Sequence, residues 1–502
     1  MTKTFYVTTA ISYVNSKPHM GHAMEVVEAD SMARYHRLLG DNTYFLTGTD
    51  EHGSKIYKLA QERGVSPLEI CDENAKKFQD LKKVLNLSND DFIRTSDKKR
   101  HYPAVQKLWQ KLVEQGDIYK DKYEGLYCSG CEAFLSEKDL VDGKCPNHNA
   151  EPEKLTEENY FFKLSKYTDQ ILSLLESDKY EIVPTLRKKE ILNVVKEGLR
   201  DVSFSRPKSV LPWGIPVPGD DEQVMYVWCD ALTNYISALG YADEGKLYQK
   251  FWEKADEVVH VIGKDIVRFH VAIWPAMLLA AGIRIPSKAV IHGFITSDGQ
   301  KMSKSLGNVI DPVEVAEKYG TDPLRYYILK EIPVGKDGDF TFERFQELYN
   351  ADLANNLGNL VNRVLSMIQR YEIDLVDGLE NELHVEIKRS LDAYHEHWQR
   401  FEIHLACEDL RALLVQANQY VDQKKPWELA KSDKDSLRAV LYTLYQVLVT
   451  ASVMMTPIMP ETALKLQQKL GLPELKSFQE SAEILPSRKL EAGDALFPRL
   501  EG

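Results

Sequence analysis

The fold is decided at residues 4–22, TFYVTTAISYVNSKPHMGH. The run from Thr4 to Thr9 is apolar and predicts a buried strand. A helical stretch from Ala23 to Leu39 begins directly after His19-Met20-Gly21-His22. A strand-to-helix turn leaves backbone N–H groups unpaired and puts the positive end of a helix dipole beside both histidines. The sequence therefore predicts an anion-binding turn near the amino terminus.

The next segment repeats the pattern of strand and helix. Thr43 to Thr47 predicts a second strand, which ends in Gly48-Thr49-Asp50-Glu51-His52-Gly53 before another helix. Alternating strands and helices indicate a parallel sheet, and such sheets bind ligands beyond the carboxyl ends of their strands. His19, His22 and Asp50 all fall at those ends. For Asp50 alone, a helix N-cap is an equally good interpretation.

The second half of the sheet is predicted much later in the chain. Glu257 to Asp265 has the pattern of a strand that runs into a turn, and its following helix carries His270. Lys288 to Thr296 predicts another strand, with His292-Gly293 inside it. The glycines at 263 and 293 would allow the backbone to approach a nucleotide closely.

A loop with two lysines follows, Lys301-Met302-Ser303-Lys304-Ser305. Its ammonium and hydroxyl groups suit a polyphosphate whose negative charge grows or migrates during a reaction. Taken alone, such a loop is more often a solvated turn. The loop and the histidine turn are so far apart in sequence that only folding can bring them to one ligand.

Three cysteines and a histidine form the pattern C-x2-C-x13-C-x2-H, at Cys128, Cys131, Cys145 and His148. Two short chelating pairs offer three thiolates and one imidazole, which is a normal tetrahedral zinc shell. Four protein ligands leave no open position, so the predicted zinc is structural, one ion per chain. Two accidental cysteine turns are the alternative. The other cysteines are scattered, and we expect free thiols in a reducing compartment: Cys71, Cys229 and Cys407.

The bulk composition is typical of an ordinary soluble protein. The chain has 502 residues with 43% hydrophobic and 28% charged content, enough for two to four domains. Lys+Arg 63 against Asp+Glu 76 gives a net charge of −13, which argues against coating nucleic acid by bulk charge but not against a local RNA-binding face. The longest apolar run, about 447–455, is too short to cross a bilayer, and no signal peptide opens the chain. We expect a cytoplasmic protein.

Beyond about residue 355 the apolar residues recur at spacings of three and four, which predicts an α-helical bundle of four or five helices. Asn359 and Arg363 are four apart and face one way on a helix, and Trp427 follows Pro426 at a helix break. Earlier, Trp228 and Tyr235 are seven apart and share a face if helical. Ordinary packing is the alternative interpretation for all three aromatic residues.

Together, the histidine turn and the lysine loop resemble the HIGH and KMSKS signatures of class I aminoacyl-tRNA synthetases. With the cysteine–histidine motif and the Tyr226-Val227-Trp228 stretch, the chain resembles the methionyl-tRNA synthetases of the bacterial type with one zinc knuckle. The resemblance implies an α/β fold, with a Rossmann-like parallel-sheet catalytic domain that is split by a zinc-binding insertion and followed by the helical bundle. The implied ranges are 1–117 and 225–296 for the catalytic halves, 118–224 for the insertion, 297–354 for the KMSKS and stem-contact region, and 355–502 for the bundle.

The resemblance also implies roles for individual residues. The implied catalytic groups are His19, His22, Lys301 and Lys304. The implied ATP-binding residues are His19, Gly21, His22, Gly263, Asp265, His292, Gly293 and Lys304. The implied methionine-binding residues are Ile11, Tyr13, Asp50, Trp228, Ala231, Tyr235 and His270. The implied anticodon-binding residues are Asn359, Arg363 and Trp427.

The reaction implied by the family has two steps and no covalent enzyme intermediate. Methionine and ATP form methionyl-adenylate and pyrophosphate, with Mg²⁺ accompanying ATP, and methionine then passes to the 3′ end of initiator or elongator tRNA(Met). Some bacterial relatives carry an appended OB-fold domain, to which nothing here corresponds, so we expect a monomer. Two alternatives are a class I synthetase for another amino acid, or a related nucleotidyl transferase, and a non-catalytic RNA-binding paralogue.

Overall fold

The computed structural model describes residues 2–130, 133–135, 137–146, 149–302, 307–375, 382–481, 486, 490 and 493–501. Within these ranges the strands fall into four sheets. In chain order they are β1 Thr4–Thr9, β2 Ser12–Tyr13, β3 Asn42–Asp50, β4 Asp91–Arg94, β5 Ile118–Cys128, β6 Ala133–Leu135, β7 Glu153–Phe162, β8 Glu181–Val183, β9 Val202–Ser203, β10 Ser205–Pro207, β11 Pro216–Val217, β12 Asp220–Met225, β13 Glu257–Gly263, β14 Lys288–His292, β15 Ile295–Ser297, β16 Gln300–Lys301 and β17 Gly338–Phe340.

Helices surround the largest sheet and make up the carboxyl-terminal third of the chain. They are α1 Met20–Leu38, α2 Ser54–Arg63, α3 Pro67–Val84, α4 His101–Glu114, α5 Thr168–Glu176, α6 Thr185–Lys196, α7 Val227–Leu232, α8 Asn234–Ser237, α9 Lys246–Tyr248, α10 Trp274–Ala280, α11 Pro312–Tyr319, α12 Thr321–Glu331, α13 Phe342–Leu348, α14 Asn359–Arg370, α15 His384–Gln399, α16 Ile403–Lys424, α17 Pro426–Ser432, α18 Lys434–Met455 and α19 Pro460–Lys469. Three wide π-helical turns lie at Gln249–Glu253, Phe269–Ile273 and Tyr349–Gly358.

The largest sheet is parallel, in the order β2-β3-β1-β13-β14-β8, with β4 also paired to β3. Val7 of β1 lies between Phe45 of β3 and Val259 of β13, and all three side chains are fully buried. Such strands are covered on both faces, which explains their nearly continuous apolar sequences. After β1 the chain passes to β3 on one side of it, and β13, much later in the sequence, pairs with the other side of β1. The strand order therefore reverses beside β1, where a doubly wound sheet opens a crevice for ligands.

The predicted parallel sheet is confirmed, with two differences in strand length. β3 continues to Asp50, beyond the predicted end at Thr47, because its last residues pair with Ser12 and Tyr13 of β2. The strand predicted from Lys288 to Thr296 is wrong at its end. β14 stops at His292, and Ile295 starts β15 in a separate small sheet with β17.

The region assigned to the insertion forms two antiparallel sheets, with the orders β6-β5-β7-β9 and β10-β12-β11. One of its segments belongs to the main sheet instead. β8 pairs with β14 in parallel register, with Glu181 opposite Lys288. The predicted range 118–224 is therefore interrupted by a strand that widens the catalytic sheet.

The helical bundle starts earlier than residue 355 and has more helices than predicted. Residues 342–370 form one continuous helical run through α13, the π-helical turn and α14. From α14 onward the described residues contain six α-helices rather than four or five. A helix break at Lys425 separates α17 from α16, and a further helix, α19, follows α18. By length and composition α18 is apolar enough to cross a membrane, but 89% of its apolar window is buried inside the bundle. It is the core helix of this region.

A fully buried arginine joins the bundle to the catalytic half. Arg325 donates hydrogen bonds to the carbonyls of Leu85, Pro457 and Ile458, each at 3.0 Å. Its guanidinium also pairs with Asp30 of α1 at 2.8 Å, and neither side chain has exposed surface. Because α1 begins at the histidine turn, this contact holds the helix of the predicted active site against the bundle.

Candidate active site

A cavity of about 450 Å³ lies at the carboxyl ends of the parallel strands. It is lined by fourteen of the predicted site residues: Ile11, Tyr13, His19, Gly21, His22, Asp50, Trp228, Ala231, Tyr235, Gly263, Asp265, His270, His292 and Gly293. Met302, the second residue of the predicted lysine loop, lines it too. Folding thus brings the histidine turn, the aromatic residues and the entry to the lysine loop around one space.

The two histidines at the start of α1 cap their own helix. The backbone N–H of Gly21 donates to His19 Nδ1 at 3.1 Å, and the backbone N–H of His19 donates to His22 Nδ1 at 3.2 Å. Each Nδ1 is therefore an acceptor without a proton, so a neutral imidazole carries its hydrogen on Nε2. Burial lowers the pKa of His22 well below its usual value, and the neighbouring His19 and His292 lower it further. His22 is neutral at physiological pH and offers one N–H donor.

An ion pair lies on the next turn of the same helix. His292 Nε2 contacts Glu25 Oε2 at 2.9 Å, and His292 Nδ1 contacts the carbonyl of Gly293 at 2.8 Å. Both partners are acceptors, so both ring nitrogens carry hydrogen and the imidazole is a cation. Burial opposes this charge, but the hydrogen bond and charge of Glu25 outweigh it and raise the pKa of His292 to about 9. The Glu25–His292 ion pair thus lies beside the cavity, with its two charges compensating each other.

The aromatic side of the cavity is preorganised by two pairs of rings. Trp228 stacks on Phe269 with ring centroids 3.7 Å apart and planes 7° apart. The hydroxyl of Tyr235 donates to His270 Nε2 at 2.7 Å, because His270 Nδ1 donates to the carbonyl of Ile266. Burial lowers the pKa of His270 to about 4, so this histidine is neutral. Trp228 and Tyr235 lie on two short helices that meet at Thr233, rather than on the single helix that their spacing suggested.

Asp50 is the last residue of β3, and its side chain borders the cavity with only 8% of the residue exposed. The N-cap of α2 is Gly53, so the capping interpretation of Asp50 is wrong. The two residues after Asp50 are held firmly. Glu51 accepts hydrogen bonds from Arg94 and Thr49, and His52 contacts Asp230. A buried carboxylate is thus fixed between the strand end and the aromatic wall.

The glycines of the predicted nucleotide side have a packing role that the sequence did not reveal. A Cβ on Gly293 would lie 2.1 Å from the backbone oxygen of Lys336. A Cβ on Gly263 would lie 2.8 Å from the carboxylate of Asp265. Glycine at 293 is therefore required by the neighbouring backbone, and glycine at 263 leaves room for Asp265 at the cavity.

Two predicted lysines cannot be placed completely. The backbone of Lys301 belongs to β16, which pairs with β15, but its side chain is not among the described parts of the chain. Lys304 lies outside the described residues, as do Cys131 and His148 of the predicted zinc motif. The described members of that motif, Cys128 and Cys145, are both buried.

The donors that are described suit a zinc ion. Cys128 ends β5, and the N–H of Asn149 donates to the Cys145 carbonyl at 2.8 Å. Cysteine thiolates are the usual ligands of structural zinc. No group of three or more metal-ligating side chains occurs within the described ranges, which contain only two of the four predicted ligands. Cys71, Cys229 and Cys407 are buried and form no disulfide, as predicted.

Sequence reasoning missed several residues that line the cavity. Glu25, Lys55, Asn234 and Phe269 all contribute to its surface. Glu25 follows His22 by three residues on a helix, so helical periodicity contained a signal for it. Phe269 directly precedes His270, but the sequence gives no hint that its ring stacks on Trp228.

The predicted anticodon residues lie at the surface of the bundle. Arg363 of α14 lies with its guanidinium carbon 6.0 Å from the ring centroid of Trp427, and it pairs with Asp422 at 2.9 Å. Asn359 is exposed one turn earlier on α14, and 39% of Trp427 is exposed. The three residues present stacking and hydrogen-bonding groups to solvent.

Comparison with family models agrees with this architecture. The family described as "tRNA synthetases class I (M)" matches residues 5–154 and 148–365, and the "Anticodon binding domain of methionyl tRNA ligase" matches residues 375–499. The fold and the cleft define a class I aminoacyl-tRNA synthetase.

Individual relatives show which family of class I synthetases the chain belongs to. A methionine–tRNA ligase of Caldanaerobacter subterraneus subsp. tengcongensis is 44% identical, over 100% of this chain and 80% of its own length. One of Brucella suis biovar 1 is 44% identical, over 99% of this chain and 98% of its own. The chain belongs to the methionine–tRNA ligases. The structure of Mycobacterium tuberculosis methionyl-tRNA synthetase in complex with methionyl-adenylate matches with a TM-score of 0.93 and 39% identity, over 99% of this chain and 100% of that one.

Proposed function

We propose that the 450 Å³ cavity binds methionine and ATP together and joins them as methionyl-adenylate. The observation that carries the proposal is the shared space. One cavity has a buried carboxylate and paired aromatic rings on one side, and a helix start with two histidines on the other. A structural relative carries methionyl-adenylate and matches nearly the whole chain.

Methionine is recognised by shape and by its ammonium group. Asp50 accepts hydrogen bonds from the α-ammonium, and its burial strengthens the attraction between the two charges. The thioether lies against Ile11, Tyr13, Trp228, Ala231 and Tyr235, where sulfur–aromatic contacts and shape replace side-chain hydrogen bonds. The neutral His270 orients the Tyr235 hydroxyl.

ATP lies at the start of α1. His19 and His22 donate hydrogen bonds from Nε2 to phosphate oxygens, which the dipole of α1 also favours. Asp265 accepts hydrogen bonds from the ribose, and Gly21, Gly263 and Gly293 leave room for the nucleotide. The Glu25–His292 ion pair lies on the same side of the cavity.

The chemistry is positional and electrostatic. The methionine carboxylate attacks the α-phosphorus, the bond to the bridging oxygen breaks, and pyrophosphate leaves with its charge held by Lys304, with Lys301 assisting and Mg²⁺ accompanying ATP. The 3′-terminal ribose of tRNA(Met) then attacks the carbonyl carbon of the adenylate and releases AMP.

The remaining proposed roles are tRNA binding by the helical bundle and zinc binding by the cysteine–histidine motif. Asn359 and Arg363 hydrogen-bond splayed anticodon bases of initiator and elongator tRNA(Met), and Trp427 provides a stacking surface. Cys128, Cys131, Cys145 and His148 hold one structural Zn²⁺, which stabilises the fold of the knuckle when bound. The enzyme acts as a cytoplasmic monomer.

Pyrophosphate exchange with each of the twenty amino acids tests the proposal. We expect ATP–pyrophosphate exchange that depends on methionine alone, followed by charging of tRNA(Met). Exchange with a different amino acid would indicate a class I synthetase of another specificity. No exchange with any amino acid, together with tRNA binding, would indicate a non-catalytic RNA-binding paralogue.

A further inference from the structure

Behind the methionine side of the cavity lies a buried network of one carboxylate and two histidines. Asp230 Oδ2 contacts His52 Nδ1 at 2.5 Å, and Asp230 Oδ1 contacts His101 Nε2 at 2.6 Å. At most 1% of each of these three side chains is exposed. The outer ring nitrogens are also engaged, His52 Nε2 by the Tyr102 hydroxyl and His101 Nδ1 by Ser237 Oγ.

The network connects three segments that carry residues of the methionine pocket. His52 lies two residues after Asp50 on the segment that follows β3. Asp230 lies on α7 between Trp228 and Ala231. Ser237 lies on α8, which also carries Tyr235. The carboxylate end of the pocket is thereby joined to its aromatic wall through side chains that do not line the cavity.

The two histidines keep the buried carboxylate of Asp230 ionised. Burial alone would raise the pKa of Asp230, but the two histidines more than offset this and hold the pKa of that carboxyl below its usual range. Ser237 Oγ also donates to the carbonyl of Asn234 at 3.3 Å, so its contact with His101 Nδ1 ties the network to α8. An ionised Asp230 held by two histidines resists rearrangement, because moving either ring leaves a buried carboxylate without a hydrogen bond.

We propose that the His52–Asp230–His101 network is a positioning device that sets the width of the methionine pocket and so its selectivity against longer side chains. The inference rests on the proposed function of the cavity. A rigid wall excludes one additional methylene group, whereas a loosened wall accommodates it. Loss of the network should therefore weaken methionine binding and change side-chain selectivity, while the phosphate side at α1 keeps its geometry.

The test compares Asp230→Asn with Asp117→Asn. Asp117 is also fully buried and also has two partners, Lys166 and Tyr167, but it does not line or support the cavity. For Asp230→Asn we expect the methionine KM in pyrophosphate exchange to rise about 10- to 50-fold, with kcat changed less than about threefold and the ATP KM unchanged. The preference for methionine over ethionine should fall by about fivefold. Asp117→Asn should lower the melting temperature without changing the methionine KM or the preference for methionine over ethionine.

Two milder variants keep the proposal testable if Asp230→Asn does not fold. Tyr102→Phe removes the hydroxyl at His52, and Ser237→Ala removes the hydroxyl at His101; each should raise the methionine KM about two- to fivefold. An unchanged methionine KM and ethionine ratio in folded variants would overturn the positioning role. Wild-type enzyme without methionine-dependent exchange would instead overturn the proposed function itself, so the two failures are distinguishable.

Discussion

The cleft and the patch formed by Asn359, Arg363 and Trp427, which is the proposed anticodon site, use polar residues in opposite ways. In the cleft, His292 and Asp50 are buried and His22 is partly buried, and neighbouring side chains and backbone groups hold the histidines in one protonation state. On the bundle, Trp427 is 39% exposed, and Arg363 pairs with Asp422, whose side chain is 67% exposed. The side chains of the cleft are preorganised in the absence of ligands, whereas the patch retains solvated groups that can reorient toward bases.

This difference fits the ligand proposed for each site. A small substrate must be held so that its reacting atoms meet, which requires preorganised groups in a water-poor space. A single-stranded loop brings flexible bases, which stack on exposed rings and exchange water for hydrogen bonds. Changes in the cleft should therefore affect the rate or KM of adenylation, and changes in the patch should affect tRNA alone.

The largest effect is expected from Lys304→Ala. Loss of the ammonium that neutralises the leaving pyrophosphate should lower the adenylation rate by ~10²–10³-fold with little change in methionine affinity. Rapid-quench measurement of adenylate formation checks this. Lys318→Ala is the control, because Lys318 is exposed on α11 and does not line the cavity. A rate like that of the wild type would remove Lys304 from the mechanism.

Asp50→Ala should come next. A buried carboxylate that pairs with the substrate ammonium contributes charge-assisted hydrogen bonds, so its loss should raise the methionine KM by about 10²-fold. Steady-state pyrophosphate exchange with varied methionine gives the value. Asp265→Ala is the reciprocal control and should raise the ATP KM instead. A normal methionine KM at normal turnover would contradict the assignment.

For the patch, Trp427→Ala should raise the tRNA KM about tenfold, since stacking on one base contributes ~1–3 kcal/mol. Pyrophosphate exchange without tRNA should stay unchanged. Leu464→Ala on α19 is a matched control, because Leu464 is 38% exposed on the same bundle. Equal tRNA KM values for the two variants would show that the indole does not contact the anticodon.

The smallest effect concerns stability and pH. The pKa of His292 is raised to about 9 in the folded state, above its ordinary value of 6.5, so its stabilisation is complete below about pH 6.5 and is lost as the pH rises through 9. Because of this group, raising the pH from 7.5 to 8.5 should lower the free energy of unfolding by about 1 kcal/mol. Urea unfolding at both pH values should show the loss in wild type and a smaller loss in Glu25→Gln. Equal losses would argue against the ion pair.

Motifs and strands could be predicted because they have local physical causes. Thr4–Thr9 was predicted from its buried, continuous apolar pattern, and the histidine turn from its position between strand and helix. The grouping of Asp50 with both histidines followed from the rule that parallel strands end at one edge.

The rest depends on contacts between distant segments. Nothing near Gly293 in sequence indicates that the backbone of Lys336 packs against it. The partner of His52 is Asp230, 178 residues away, and Arg325 reaches the bundle at Ile458, 133 residues away. β8 joins the main sheet from within the insertion for a similar reason, since three residues give too short a pattern to assign to either sheet.

The central claim is that His22 and Lys304 act on one triphosphate. A crystal structure with methionine and a non-hydrolysable ATP analogue tests it most directly. We expect the methionine side chain against Trp228 and the triphosphate between His22 Nε2 and Lys304 Nζ, each within about 3.2 Å of a phosphate oxygen. A triphosphate bound away from the start of α1, or Lys304 turned toward a different surface, would contradict the account.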